Sequence, residues 1–332
     1  MNIRPARPSD KPAMIRLLSQ SLGDDVIPQS EDFWTWKHEQ NPFGPSYVLL
    51  AEEDGVIVGL RAFMKWKWQL NDTTFDAIRA VDTATHPDFQ GRGIFKKLTM
   101  NLVETCRRDG VHFIFNTPNE KSKPGYLKMG WVEQGKMPLK LKIRKPLAVV
   151  YSRLVRNGKT IDKSEDPSPP QEWRADVLDL LKGYVQKAVY LTTAISPAYI
   201  AWRYADNPLF RYNYFTDGKS YLLISRVKQH AFTKELRLVD FILLDEQANP
   251  QALNALLKKE VRSFCALHNI NLVSMSGVQF QLYQNYFRWM GIVPVRALGP
   301  MITLRDLNME DRFASLKESK NWSYSLGDLE LF

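Results

Sequence analysis

Apolar and small polar residues alternate along Val81–Thr85, with Val81, Thr83 and Thr85 on one side and Asp82 and Ala84 on the other. That period of two predicts a strand. Further on the period changes: Phe95, Leu98, Leu102 and Cys106 recur at helical spacing and predict an amphipathic helix. Between them, His86-Pro87-Asp88 breaks the strand and Gln90-Gly91-Arg92-Gly93 makes a two-glycine turn. A glycine turn that opens a helix can cradle an anion, because the first-turn N–H groups have no intrahelical partner. Arg92 adds positive charge. An ordinary strand-to-helix turn is the competing reading, since Gly and Pro mark turns generally.

The same patterning places the other elements. Asn2–Arg7 reads as a strand, and Ser9-Asp10 opens a helix with Pro12 in its first turn. Ser30 caps a second helix that stops at Asn41-Pro42. Tyr47–Glu52 and Val56–Trp68 flank an Asp54-Gly55 hairpin turn, and Asn71-Asp72 leads into the strand that ends at His86. Asp109-Gly110 ends the central helix. A strand at Val111–Phe115, a loop at Asn116–Gly125, a helical turn at Tyr126–Met129 and closing strands within Trp131–Arg144 complete the first half. The predicted order is β-α-α-β-β-β-α-β-α-β-β.

The second half echoes the first. Trp36-Lys37 and Asn41-Pro42 return at identical spacing as Trp202-Arg203 and Asn207-Pro208. Val81-Asp82 returns as Val239-Asp240, and Met129-Gly130-Trp131 as Met290-Gly291-Ile292. Three anchors in one order argue for an internal duplication. The second copy lacks the glycine turn: Asp245-Glu246 stand there, and two carboxylates repel phosphate.

Composition narrows the class. The 332 residues are 44% hydrophobic, enough for two cores, and no apolar run is long enough to span a bilayer. The N-terminal stretch lacks a signal-peptide core, and Cys106 and Cys265 both fall in apolar helical patterns, so a cytosolic setting without disulfides is expected. No Cys/His spacing suits zinc, and no metal is expected. The net charge of +9 is spread out and has no nucleic-acid motif beside it. A basic surface that attracts an anionic cofactor is the favoured reading, and no nucleic-acid partner is expected.

Lys96 occupies the place of the third glycine of a dinucleotide fingerprint, and no G-K-[ST] follows, so both common nucleotide loops are excluded. The run Gln90-Gly91-Arg92-Gly93-Ile94 instead resembles the pyrophosphate motif of the GNAT acyltransferase superfamily, Q/R-x-x-G-x-G/A, with Phe95 where Gly or Ala is usual. The element order over about 145 residues resembles the same superfamily. The resemblance implies an α/β fold with a mixed sheet in each of two tandem GNAT-like domains. The expected division is an acyl-CoA-binding domain at 1–145, a linker at 146–172, a degenerate domain at 173–308 and a tail at 309–332 that packs back on the body.

The resemblance also implies site residues. Val81, Thr83 and Thr85 would meet the pantetheine arm and thioester, Gln90, Gly91, Arg92, Gly93 and Ile94 the pyrophosphate, and Asn116 and Asn119 the cofactor arm or a helix cap. Tyr126, four residues before Gly130-Trp131, takes the place of the family's general acid, where a phenol protonates the departing thiolate. A core tyrosine is the alternative. Asp82 is a candidate base or a structural acceptor. Asp328 and the terminal carboxylate of Phe332 are further candidates, because some tandem members bring a C-terminal carboxylate to the active site. Trp34 and Trp36 could line the acceptor site or belong to the core. The expected activity is acetyl transfer from acetyl-CoA to a primary amine of a small molecule or peptide. A non-catalytic binding module and an aminoacyl transferase of cell-envelope building blocks remain as alternatives. Acceptor, acyl length and oligomeric state are left open by the sequence.

Overall fold

The computed structural model describes residues 1–22, 28–154, 166–291 and 299–328. The strands are β1 (Asn2–Pro5), β2 (Tyr47–Glu53), β3 (Val56–Leu70), β4 (Thr73–Thr85), β5 (Phe113–Asn116), β6 (Val132–Lys136), β7 (Leu139–Ile143), β8 (Thr192–Thr193), β9 (Asn213–Phe215), β10 (Tyr221–Gln229), β11 (Lys234–Leu243), β12 (Leu272–Ser276) and β13 (Met301–Asp306). The α-helices are α1 (Lys11–Leu22), α2 (Glu31–Trp34), α3 (Ile94–Arg108), α4 (Lys123–Lys128), α5 (Pro146–Leu154), α6 (Ala175–Asp179), α7 (Pro197–Ile200), α8 (Pro250–Leu267), α9 (Gln279–Leu282) and α10 (Phe313–Leu316). They form two compact units: Met1–Gly135 with Met301–Ser319, and Lys136–Pro300 with Lys320–Phe332.

In the first unit the sheet runs β1-β2-β3-β4-β5-β13-β6. Pairing is antiparallel from β1 to β4, parallel between β4 and β5, and antiparallel between β5 and β13. Helix α3 buries Leu98, Leu102 and Cys106 of the expected stripe, with Ile94 in place of the partly buried Phe95, against Ala51 and Val58 and a second cluster around Phe63 and Ile78. Gly59 lets the helix come this close, since a Cβ there would stand 2.5 Å from the Ile94 side chain. The start of α3 is thereby fixed beside Thr85, the residue paired with Gly59.

In the second unit the order is β7-β12-β11-β10-β9, with β11 and β12 parallel. Helix α8 buries Leu253, Leu257, Val261 and Cys265. The expected boundary at 145 does not coincide with this division. Strand β7 pairs with β12, from Leu139↔Ser276 to Ile143↔Leu272, and β13 pairs with β5 across Thr303↔Asn116 to Asp306↔Phe113. Each sheet is thus completed by a strand from the other half of the sequence. Alternation identifies a strand and its faces but carries no record of its partner.

The duplicated anchors adopt the same local structure. The side chains of Ser30 and Ser196 each accept a hydrogen bond from the backbone N–H three residues on, at 3.1 Å. Helices α2 and α7 each continue into one π-turn, Thr35–Glu39 and Ala201–Ala205, closed by i→i+5 bonds from Gln40 to Thr35 and from Asp206 to Ala201. Asn41 and Asn207 each accept from the N–H two residues on, at 3.0 Å. Ile292, the last echo, lies outside the described residues.

The tail residues Trp322, Tyr324 and Leu326 are buried, and bridges Leu191↔Trp322 and Gly277↔Ser325 fasten them within the second unit.

Candidate active site

Strands β4 and β5 pair only from Ala77↔Phe113 to Arg79↔Phe115. β4 then runs on through Ala80–Thr85, while β5 ends at Asn116. The two strands therefore part as a fork. Against β3, the pairs Arg61↔Thr83 and Phe63↔Ala80 leave Val81 and Asp82 facing the single residue Ala62. This bulge bends β4 at the fork and re-aims its side chains, as bulges do beside active sites. Val81, Thr83 and Thr85, the residues expected to meet a pantetheine arm, all lie on this stretch.

The strand ends at the glycine turn. Gly91 and Gly93 have φ of 77° and 74°, a left-handed region that other residues enter only with strain, and Gly93 is the N-cap of α3. Having no side chain, it leaves the first N–H groups of α3 uncapped, while its own C=O accepts the first helical bond from Lys97 at 3.0 Å. Gln90 and Arg92 are exposed. Arg92 reaches Glu53 at 3.2 Å and lies over the Phe89 ring. The buried Ile94 side chain belongs to the core, so only its backbone faces the turn. Phe95 points away: its ring meets Tyr126 edge-on at 5.6 Å and would touch a Cβ at Gly125. The bulky sixth position of the motif is thus a packing residue beneath α4.

Tyr126 is buried on α4 between Phe95 and Trp131. Its hydroxyl accepts a 2.6 Å hydrogen bond from Arg61, whose other terminal nitrogen donates to the Val81 carbonyl at 2.5 Å. Arg61 is wholly buried among Phe63, Phe95 and Tyr126, and its Nε has no hydrogen-bond partner. A charged group is thus fixed between the β4 bulge and the phenol. Sequence reasoning missed Arg61. The signal was a lone cation inside the apolar run Ile57–Met64. Asn116 accepts from the Thr303 hydroxyl at 2.7 Å, and Asn119 accepts from the Ser122 N–H at 2.9 Å, the residue that caps α4. Both amides are therefore engaged in shaping the loop.

Asp82 projects to the π-turn. One of its oxygens meets Lys37 Nζ at 2.6 Å and His38 Nε2 at 2.7 Å, and the other ring nitrogen of His38 lies 2.9 Å from Ser46 Oγ. Burial raises the Asp82 pKa, but the Lys37 charge and the His38 hydrogen bond more than offset this and hold it well below the usual range. Burial likewise lowers the His38 pKa, against the pull of Asp82. A carboxylate held this firmly ionised is a weak base, and its partners make it an anchor between β4 and the π-turn. Trp34 lies over His38 and lines a cavity of about 520 Å³ with His38, Ser46 and Tyr47, whereas Trp36 stacks on Phe33 in the interior.

The second unit repeats the frame with different contents. Tyr204, the counterpart of His38, donates to Asp240 at 2.8 Å, and the Arg203 Nε–H donates to the Gly327 carbonyl at 2.9 Å. β11 passes β12 after Leu238↔Met275 and forks as β4 does. That fork is filled: the Gln279 side chain accepts from the Phe241 N–H at 3.0 Å, and the Gly327 N–H donates to the Val239 carbonyl at 3.2 Å. Helix α8 is capped by Asn249, which accepts from Gln251 and Ala252. Asp328 is buried here, accepting from Thr193 and from the Ser325 N–H. Its place in the interior of the second unit makes it an anchor for the tail. Phe332 lies outside the described residues.

A forked parallel pair, a bulge at its mouth and an uncapped helix at its end make an open cleft that leads to an anion-binding turn. Residues 2–133, which lie within the first unit, match the family model described as acetyltransferase (GNAT) domain. The L-amino acid N-acyltransferase MnaT of Escherichia coli (strain K12) is 27% identical over 150 residues, 42% of this chain and 83% of that protein. Two solved structures share the fold across both units. One is a conserved protein of Enterococcus faecalis V583 described as a probable N-acyltransferase, with TM-score 0.61 and 11% identity over 93% of this chain and 73% of that one. The other is N-myristoyltransferase of Saccharomyces cerevisiae with bound myristoyl-CoA, with TM-score 0.53 and 9% identity over 91% of this chain and 82% of that one. Among the described residues, no helix is long and apolar enough to cross a membrane, and no group of three or more His, Cys, Asp or Glu could hold a metal.

Proposed function

We propose that the chain moves an acetyl group from acetyl-CoA to a primary amine, with the α-amine of an amino acid or short peptide as the acceptor class. The observation that carries this reading is the open Ala80–Thr85 stretch of β4, which leads directly into the uncapped first turn of α3. The N–H groups of that turn and Arg92 would hold the pyrophosphate. Backbone N–H groups on the edge of β4 that β5 leaves unpaired would hold the pantetheine arm and polarise the thioester carbonyl. The amine lone pair attacks that carbonyl, the C–S bond breaks, and the sulfur takes the Tyr126 hydroxyl proton. The Arg61 charge, already bonded to the Tyr126 oxygen, stabilises the phenolate left behind. The amine proton leaves to water, since Asp82 is committed to Lys37 and His38. The similarity to an L-amino acid N-acyltransferase supports the acceptor class. The filled fork and capped α8 argue that only the first unit takes the cofactor. The test is thiol release from acetyl-CoA across a panel of L-amino acids, dipeptides, polyamines and amino sugars. Turnover with an amino acid or dipeptide above the hydrolysis background is expected. Acetyl-CoA that neither binds nor turns over with any amine would sink the proposal.

A further inference from the structure

Strand β7 is built the wrong way round for a sheet edge that covers a core. Its residues Lys140 and Lys142 pair directly with Met275 and Val273, both buried core residues, while Leu139 and Leu141 pair with Ser276 and Ser274. Paired residues share a face of the sheet, so the cations point to the α8 side and the leucines away from it. Arg144 continues the cationic face two residues on. Opposite, α8 presents Lys258 and Arg262, one helical turn apart on one side of the helix.

Between them lies a cavity of about 290 Å³ lined by Lys142, Arg144, Arg262, Val261, Cys265 and Trp289, with Ile143 and Val273 completing the wall. No carboxylate lines it among the described residues, and none of the four cations is in an ion pair there. Lys142 is half-buried, donates to the Trp289 carbonyl and lies 5.4 Å from the Trp289 ring centroid. Burial lowers its pKa, and Arg262, Lys258 and Arg144 lower it further. Cations gathered at a concave site without a counter-charge repel one another. Edge lysines that merely discourage strand pairing need no matching pair on the facing helix.

We propose that this cavity between β7 and α8 binds a small phosphate-bearing anion through Lys142, Arg144 and Arg262, with the charge of Lys258 nearby. Its volume, just below the roughly 300–1,000 Å³ common for small-molecule pockets, suits one or two phosphoryl groups. The site is separate from the glycine turn and does not rest on the acetyl-transfer reading.

The experiment is titration of the full chain with sodium pyrophosphate at constant ionic strength, read by calorimetry and by melting temperature, in three variants. Gly93→Asp removes any binding at the α3 turn. Arg262→Glu reverses an exposed charge, and Lys142→Met replaces the inward cation with an apolar side chain of similar length. The proposal expects binding that survives Gly93→Asp and weakens at least tenfold in both Arg262→Glu and Lys142→Met. Melting in the absence of pyrophosphate shows whether each variant is folded. No binding beyond that of chloride at equal ionic strength overturns it. So does binding lost in Gly93→Asp but kept in Arg262→Glu, which would assign the anion to the α3 turn.

Discussion

Tyr126 was visible from its spacing to Gly130-Trp131, but the group that orients it was not, because Arg61 lies 65 residues away on β3. Tyr126→Phe keeps the ring contacts with Phe95 and Trp131 and removes only the hydroxyl. We expect kcat to fall by about 10²-fold, the scale of one proton-transfer group, with acetyl-CoA affinity unchanged. An unaltered kcat at saturating acetyl-CoA would leave Tyr126 a packing residue. Asp328 was noticed for its charge near the end of the chain, yet its burial in the second unit was beyond the reach of sequence. There, burial and the nearby Asp240 charge raise its carboxyl to about 7. A carboxyl whose folded pKa exceeds its unfolded value adds stability at low pH that is lost as pH rises through the folded pKa. Asp82 and Glu235, both depressed, act in the opposite direction and only in acid, so they are silent above about pH 5. His38, whose folded pKa is lowered, makes stability rise up to about pH 6.5, so the Asp328 contribution is read as a difference: in urea unfolding, the stability of the parent relative to Asp328→Asn should fall from pH 5 to 8. A difference between parent and Asp328→Asn that does not change with pH would mean that Asp328 does not titrate there.

The strand, glycine turn and helix were legible because three independent signals coincide: alternation to Thr85, two glycines, and a helical stripe from Phe95. Helix α4 was less so. It begins at Lys123, one turn before the expected Tyr126, with Ser122 at its N-cap and Pro124 in its first turn. The filled fork of the second unit was not legible at all, since Gln279 and Gly327 reach it from segments with no pattern of their own. Gly93 separates conformation from charge at the first helix. A Cβ there meets nothing within 4 Å, so Gly93→Ala tests backbone strain alone. It should cost about 1–2 kcal/mol of stability, from the left-handed φ, and leave acetyl-CoA affinity within a few-fold. Gly93→Asp has the same strain and adds an anion at the helix N-terminus. Its acetyl-CoA dissociation constant should rise at least tenfold by calorimetry. Equal affinities for the Ala and Asp variants would show that the pyrophosphate does not lie at this turn.

The repeat in the sequence revealed two copies of one plan but hid the exchange of their last strands. The pattern of β7, Leu-Lys-Leu-Lys-Ile, fits either sheet as an edge strand, and β13 stands more than 180 residues from the β5 strand that it pairs with. The exchange changes what counts as a domain. A chain of residues 1–145 would keep β7 without its partner β12 and lose β13, leaving β5 with an open edge. Ile302 and Leu304 on β13 are buried, and burial of two such side chains contributes about 3–6 kcal/mol. The ladder bonds from Thr303 to Asp306 add to that, so the loss is comparable with the whole stability of a typical domain, about 5–15 kcal/mol. Residues 1–145 alone should therefore show no cooperative melting transition. Residues 1–135 joined by a flexible linker to residues 301–319 restore β13 and should melt cooperatively and bind acetyl-CoA. Far-UV circular dichroism and calorimetry on the two chains decide the matter. If residues 1–145 melt cooperatively and bind acetyl-CoA as the full chain does, β13 is dispensable to the first sheet and the linear division into domains is the correct one.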